Sequence, residues 1–447
     1  MSRLARSLSV AMVGTRGVPA RYGGFETCVE EVGSRLAARG HDVVVYCRRR
    51  GPETADEAQE FKGMRLVHFG ALQKRSLETL SHTGLSVAHL ARNRTDAAIV
   101  FNSANAPWMP VLRAARIPFA THVDGLEWKR EKWGPIGRRY YLLAERLSVK
   151  LSNELIADAG GIRDYYRDKF GVGTDLIAYG APRISSDGGL RIAELGLERR
   201  GYHLVVARFE PENHVDMIVA GYRASNSKKP LVVVGSAPYA DDYTRKVHLA
   251  ADDRVRFVGG IWDQELLDQL YANADTYLHG HSVGGTNPSL LRAMGAGTPS
   301  TAFDVVFNRE VLGNAGRYFS SAQELTRQIE VSEFDAAGTR RLGELATIGA
   351  ARYDWDDVAD RYEELCYRLA SGERQNSQID DEAGRPRVSN LSLLRAEGDQ
   401  HQQDHAVVQG GVAAGSFGRL PATGRPRVMS LQSKTTDWRP DDQHRTA

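Results

Sequence analysis

Cysteine is scarce and scattered: Cys28, Cys47 and Cys366 are the three in 447 residues. An odd number, widely spaced and without a C-x-x-C pair, speaks against a disulfide framework and a zinc site, and fits a reducing cytosol. Long hydrophobic runs are missing as well. No uninterrupted apolar stretch approaches the roughly 20 residues of a membrane span. The short apolar run after Arg3 and Arg6 has no long hydrophobic region behind it, so it reads as a first strand and not as a secretion signal. A soluble, cytoplasmic chain is expected, one able to touch the inner face of a membrane from the periphery. Charge of one sign is also lacking: 58 Lys and Arg against 56 Asp and Glu leave +2, which gives no case for a nucleic-acid partner. Nor is there a G-x-G-x-x-G, so a dinucleotide fingerprint is unsupported.

What the chain does have is length for two cores and a repeated alternation of short apolar runs with helical periodicity. Strands are expected over 8–13, 42–47, 65–69, 97–101, 118–122 and 154–157. A second series follows over 202–207, 231–234, 255–258 and 274–278. Helical patterns lie between them, including 26–38, a helix from Val215, 263–272 and 288–296. Strand–helix–strand repeats of this length imply parallel sheets. Between the two series, 181–200 is rich in glycine, serine and mixed charge and reads as a linker.

The organising stretch is H-G-H-S-V-G-G-T-N-P-S-L-L-R-A-M-G-A-G, from His279 to Gly297. A buried strand enters a polar, glycine-rich turn and a helix leaves it. Asn287 is placed to cap that helix and Pro288 suits its first position. Amide groups free at such a helix start attract anions, so phosphate binding and a plain tight turn are both open. A second such loop, G-T-R-G-V-P-A-R-Y-G-G-F-E, follows the first strand from Gly14 to Glu26. It lies at the carboxyl end of a strand, where open α/β sheets bind ligands.

These motifs resemble retaining glycosyltransferase family 4, whose members have the GT-B fold: two Rossmann-like α/β domains facing a cleft. Ala293-Met294-Gly295-Ala296-Gly297 matches the ending of that family's donor-site motif. The motif's two glutamates fall on Gly284 and Arg292, so both carboxylates are replaced. H-G-H-S-V-G-G-T-N-P-S-L-L is similar to one bacterial subgroup associated with rhamnosyl transfer in surface-polysaccharide synthesis. G-G-F-E and R-G-H-D-V-V-V-Y resemble the family's amino-terminal signature, and R-F-E-P-E-N-H its diphosphate-gripping turn, with Arg208 matching the arginine and Asn213 replacing a lysine.

The resemblance implies domains over 1–185 (acceptor side) and 200–352 (donor side) and a helix over 353–370 crossing back to the first; beyond it the change of composition over 371–447, where G-R-P-R-V occurs twice, reads as a disordered tail. It implies transfer of a sugar from a nucleotide-sugar co-substrate to a glycan or lipid-linked acceptor, with no cofactor and no metal. The alternatives are a non-catalytic GT-B protein that binds sugar or a partner transferase, and a phosphosugar epimerase. The expected donor-site residues are Gly23, Gly24, Arg208, Gly235, His281, Ser282, Gly285, Thr286, Asn287, Arg292 and Glu310, the last read as a spare carboxylate or a helix cap. In T-H-V-D-G-L-E-W, His122 and Asp124 are candidates to act on an acceptor hydroxyl, with Arg208 as the third catalytic group. Asp354-Trp355-Asp356 has the D-x-D form of some metal-dependent sugar transferases of another fold, but reads better as a helix start. Finally, 129–150 interleaves Lys and Arg with Trp and Tyr, a surface for anionic lipid or a solvated helix face.

Overall fold

The computed structural model describes residues 6–20, 23–49, 58–72, 78–123, 125–131, 133–185, 191–235 and 241–373. The first series runs β1 (Ser9–Val13), α1 (Gly23–Ala38), β2 (Asp42–Arg48), β3 (Glu60–Phe61), β4 (Met64–Phe69), α2 (Glu78–Arg92), β5 (Ala97–Phe101), α3 (Met109–Ala114), β6 (Phe119–Val123), α4 (Pro135–Leu151), β7 (Glu154–Ala157), α5 (Gly160–Phe170) and β8 (Asp175–Leu176). The second runs β9 (His203–Val206), α6 (Val215–Ala224), β10 (Leu231–Val234), α7 (Asp241–Ala250), β11 (Val255–Gly259), α8 (Gln264–Asn273), β12 (Thr276–His279), α9 (Pro288–Gly295), β13 (Ser300–Phe303), α10 (Val306–Leu312), β14 (Gly316–Phe319), α11 (Ala322–Phe334) and α12 (Ala336–Ala350). A last helix, α13, spans Trp355–Ser371.

The first sheet has the order β3-β4-β2-β1-β5-β6-β7-β8, parallel except for the β3–β4 pair. The second is parallel throughout, β11-β10-β9-β12-β13-β14. Helices cover both faces, so central strands are apolar on both sides: all four residues of β10, Leu-Val-Val-Val, are buried. Each such side chain contributes about 1.5–3 kcal/mol by leaving water. The direction of winding reverses between β1 and β5 and again between β9 and β12. Ligands of open α/β sheets bind beyond the strand ends at such reversals.

Although last of the described helices, α13 packs on α1 and the first sheet. Arg35 bonds Asp356 at 2.7 Å, His41 meets Glu363 at 2.8 Å, and Arg368 holds Asp175 at 2.7 Å. Asp354 caps α13 by accepting from the Asp356 amide at 2.8 Å, and it pairs with Arg183 at 2.7 Å. The D-x-D sequence is thus used as a helix start. Gly372 closes α13 with φ of 74°. Of the tail expected from 371 onward, 374–447 lies outside the described residues.

One expected boundary needs correcting. α1 begins at Gly23, three residues before the expected start, so G-G-F-E forms its first turn and does not belong to the preceding loop. Asn308, Arg309 and Glu310 lie in α10, which Val305 opens in extended conformation. No described helix is long and apolar enough to cross a membrane.

Candidate active site

The two winding reversals face one another. α1 follows β1 and α9 follows β12, and their first turns meet: a methyl group built on Gly24 would lie 3.0 Å from the Tyr179 ring and 3.1 Å from Pro288. Only glycine permits that approach without a neighbour giving way. Beside it the loop after β6 touches the loop after β12, since a methyl on Gly125 would fall 2.3 Å from the Gly284 Cα. Both helix starts therefore aim the positive ends of their dipoles into one cleft.

On the second wall, Asn287 caps α9 as its sequence suggests. Its Oδ1 accepts from the Ser289 amide at 3.0 Å and from the Ser289 hydroxyl at 2.7 Å. Thr286 is buried, its hydroxyl donating to the Asp158 carbonyl at 2.5 Å, and Gly285 packs against the Asp158 carboxylate. The cleft turn is thus anchored to the opposite wall. Arg208 follows β9 with its side chain half exposed and its guanidinium 3.6 Å from Glu210. Asn213, at the lysine position, is buried and donates to the Arg208 carbonyl at 2.7 Å. It supplies no charge but fixes the main chain that carries Arg208.

Several expected donor contacts are occupied by the protein itself. The amide and hydroxyl of Ser282 both donate to the Glu212 carbonyl, at 2.9 and 3.1 Å. The Gly235 amide donates to the Gly259 carbonyl at 2.8 Å, so it is spent on holding two strand ends together. The imidazole of His281 stacks on His279 with centroids 4.5 Å apart. Burial drives it well below the usual histidine range, and the charges of Arg208 and Arg130 push the same way. Glu310 accepts from the Gly160 amide at 2.8 and 3.1 Å. It caps α5 across the cleft, which answers the spare-carboxylate reading in favour of capping. Arg292 turns away to α8 and pairs with Asp268 through a short contact.

His122 is placed differently from its expected role. The ring is fully buried, stacked on Phe101 and Tyr179 with Phe25 at its edge, and burial lowers its pKa to about 3. A general base needs access and a pKa near the working pH, and here it has neither. Asp124 lies outside the described residues.

Sequence reasoning did not single out Arg130 and its carboxylates for this site. The stretch 129–150 reads as a surface for anionic lipid or a solvated helix face, yet its Arg130 is nearly buried at the cleft. It pairs with Glu127 by a short contact and with Glu212 at 3.0 Å, and lies 3.7 Å from Glu210. The signal available was the pair of glutamates in F-E-P-E-N, beside Arg208.

Residues 23–182 match the model of a glycosyl transferase 4-like domain, and residues 200–331 that of glycosyl transferases group 1. The chain is 28% identical over 124 residues to the GtfA subunit of the UDP-N-acetylglucosamine–peptide N-acetylglucosaminyltransferase of Streptococcus gordonii, covering 27% of this chain and 24% of that one. It is 26% identical over 123 residues to O-antigen chain mannosyltransferase B of Escherichia coli, covering 26% and 32%. The matched segment thus spans only 24% and 32% of the length of these curated relatives. Among solved structures, a sucrose-phosphate synthase from Thermosynechococcus elongatus superposes with a TM-score of 0.72 at 20% identity, over 82% of this chain and 100% of that one. Anabaena HepE in complex with UDP gives 0.63 at 18% identity, over 80% and 99%. At such identity the likeness concerns the two-sheet architecture.

Proposed function

Because this chain joins a glycosyltransferase 4-like half to a group 1 half on a GT-B fold, we propose that it is a glycosyltransferase. In this reading the cleft binds a nucleoside-diphosphate sugar and passes the sugar to a glycan or lipid-linked acceptor in cell-surface polysaccharide synthesis. The observation that carries the reading is the meeting of the α1 and α9 starts at Gly24 and Pro288, with Arg208 following β9, the strand next to β12 in the second sheet. As the nucleoside diphosphate departs, negative charge grows on its phosphate oxygens. Arg208, the amides near Thr286 and Asn287, and those of Gly23 and Gly24 bear that charge, without need of a metal. The UDP held by HepE, a protein of the same fold, supports this choice of leaving group. Attack from the face the leaving group vacates retains the anomeric configuration. A deoxyhexose such as rhamnose is the proposed donor sugar, on the likeness of H-G-H-S-V-G-G-T-N-P-S-L-L to its subgroup.

Charged hydrogen bonds contribute about 1.5–3 kcal/mol. Arg208→Ala is therefore expected to weaken binding of UDP or dTDP roughly ten- to hundredfold in calorimetry; an unchanged affinity removes Arg208 from the site.

A second reading has an observation of its own. Arg292 stands at one glutamate position and is paired with Asp268, Gly284 stands at the other, and Glu310 is engaged by Gly160. A GT-B protein that binds a nucleotide-sugar without transferring it fits that loss of carboxylates. Assays of transfer and hydrolysis over a nucleotide-sugar panel decide: binding without turnover selects the second reading.

A further inference from the structure

The loop after β6 and the loop after β9 close on one another through five charged side chains. Arg130, with side-chain exposure of 11%, comes from the first wall together with Glu127. Glu210 and Glu212 come from the second wall, in the turn that also carries Arg208. Glu212 is the most deeply buried, with side-chain exposure of 2%, and Arg130 holds it at 3.0 Å. Glu210 is shared: Arg130 of the opposite wall is 3.7 Å away, and Arg208 of its own wall 3.6 Å. We infer that Arg130 is a positioning residue that couples occupancy of the donor site to closure of the cleft, with Glu210 as the element that changes partner.

The coupling follows from charge and geometry. Arg208 is half exposed and its contact with Glu210 is long, so a diphosphate, with more charge and oxygens in bidentate array, takes the guanidinium from the carboxylate. Glu210 then has Arg130 as its cation across the cleft. The like charge of Arg208 facing Arg130 is neutralised by the same event, which removes a repulsion between the walls. Arg130 itself stays in place, because Glu127 grips it from its own loop and Glu212 is too buried to find another partner. The Gly125–Gly284 contact seats the loop after β6 on the loop after β12, and Ser282 of that loop bonds the Glu212 carbonyl, so the walls already meet beside these pairs. This inference rests on the proposed role of Arg208 for its ligand dependence, but not for the latch as such.

The experiment uses the full chain carrying spin labels on cysteines introduced at Ala114 and Ala337, both exposed; the three native cysteines are buried. Interdomain distances are measured by electron–electron resonance without ligand and with UDP or dTDP, and affinity by calorimetry. In the parent chain the nucleotide is expected to shorten and narrow the distance distribution. Glu210→Gln is expected to bind nucleotide several-fold more tightly, since Arg208 is no longer held, and yet to lose the closure on binding. Arg130→Met is expected to widen the distribution even without ligand, and Arg130→Lys to restore part of it. A residue that merely stabilises the fold does not raise affinity while abolishing closure. If Glu210→Gln and Arg130→Met both close on nucleotide as the parent does, the coupling is wrong. If the parent binds neither nucleotide, the reading of the cleft as a donor site fails. The latch then stands or falls on whether Arg130→Met widens the ligand-free distribution.

Discussion

Arg292 occupies a position where the family places a carboxylate, and Asp268 stands opposite it. Burial raises the Asp268 pKa and the guanidinium of Arg292 pulls it back down, so each side chain makes the other tolerable in a site less than a third exposed. Arg292→Glu alone therefore sets two carboxylates face to face and is expected to destabilise the chain by about 1–3 kcal/mol. Adding Asp268→Asn is expected to recover most of that loss in urea melts. The double variant then tests the donor site cleanly: it should bind UDP or dTDP at least as tightly as the parent, because a carboxylate can accept from both ribose hydroxyls and a guanidinium cannot. A tenfold loss instead means that Arg292 reaches phosphate when nucleotide is bound. This pair also marks what was legible at the site. The Asn287 cap is written in three consecutive residues and was readable. The partners of Arg292 and Glu310 lie 24 and 150 residues away, and no local pattern announces them.

Among the elements, α4 departs most instructively from its sequence. The stretch 129–150 reads as interleaved cations and aromatics, but the helix sorts them. Tyr140 turns inward to the Ala104 carbonyl at 2.5 Å, and Trp133 reaches Glu127 and packs on Tyr141. What remains outside is a stripe at helical spacing: Ile136, Arg139, Leu143, Arg146 and Lys150, with Ile136 at 85% and Leu143 at 54% exposure. The single acid of α4, Glu145, is buried and bound to Lys169 at 2.9 Å. Apolar tips flanked by cations and no exposed acid suit the surface of an anionic bilayer. Full-length protein is expected to sediment with vesicles containing anionic lipid and to be released by high salt, and Ile136→Ser with Leu143→Ser to weaken sedimentation severalfold. Equal partition to neutral vesicles, or no change in the double variant, sinks the idea. Period alone could place α4 but not say which rings its neighbours would claim. For the same reason β14, α11 and α12 were missed: small and polar residues over 316–350 blur the pattern, and packing against α6 and α9 decides their form. The buried Val-rich strands β2 and β10, by contrast, were plain from composition.

For the whole molecule, the most consequential feature is a set of histidines that folding keeps neutral. His82, His122 and His279 are each at most 1% exposed. Desolvation lowers them to about 4, about 3 and about 3, against about 6.5 in an unfolded chain. Between those values the unfolded chain holds a proton at each site that the folded chain does not, so stability falls as pH falls. Each group contributes about 1.4 kcal/mol per pH unit in that window, or about 2 kcal/mol at pH 5. The three together reach about 6 kcal/mol, comparable with the 5–15 kcal/mol that holds a typical domain folded. Carboxylates do not account for this window. Those that partners hold low, such as Glu333 and Glu363, lose their contribution only as pH falls below the ordinary carboxylate range. Asp175 and Asp268, raised by burial, act in the opposite sense and offset part of the loss. The urea midpoint is thus expected to drop steeply between pH 7 and pH 5, well above the usual range of acid denaturation by carboxylates. His122→Phe tests the assignment, since its neighbours Phe25, Phe101 and Tyr179 already form an aromatic box of matching shape. It should leave stability at pH 7 within about 1.5 kcal/mol of the parent and remove part of the pH dependence, with His82, His279 and His281 supplying the rest. If the variant keeps the full slope, His122 is titrating inside the fold. The wall of rings that separates it from the cleft then opens in solution, and its role as an acid–base group returns.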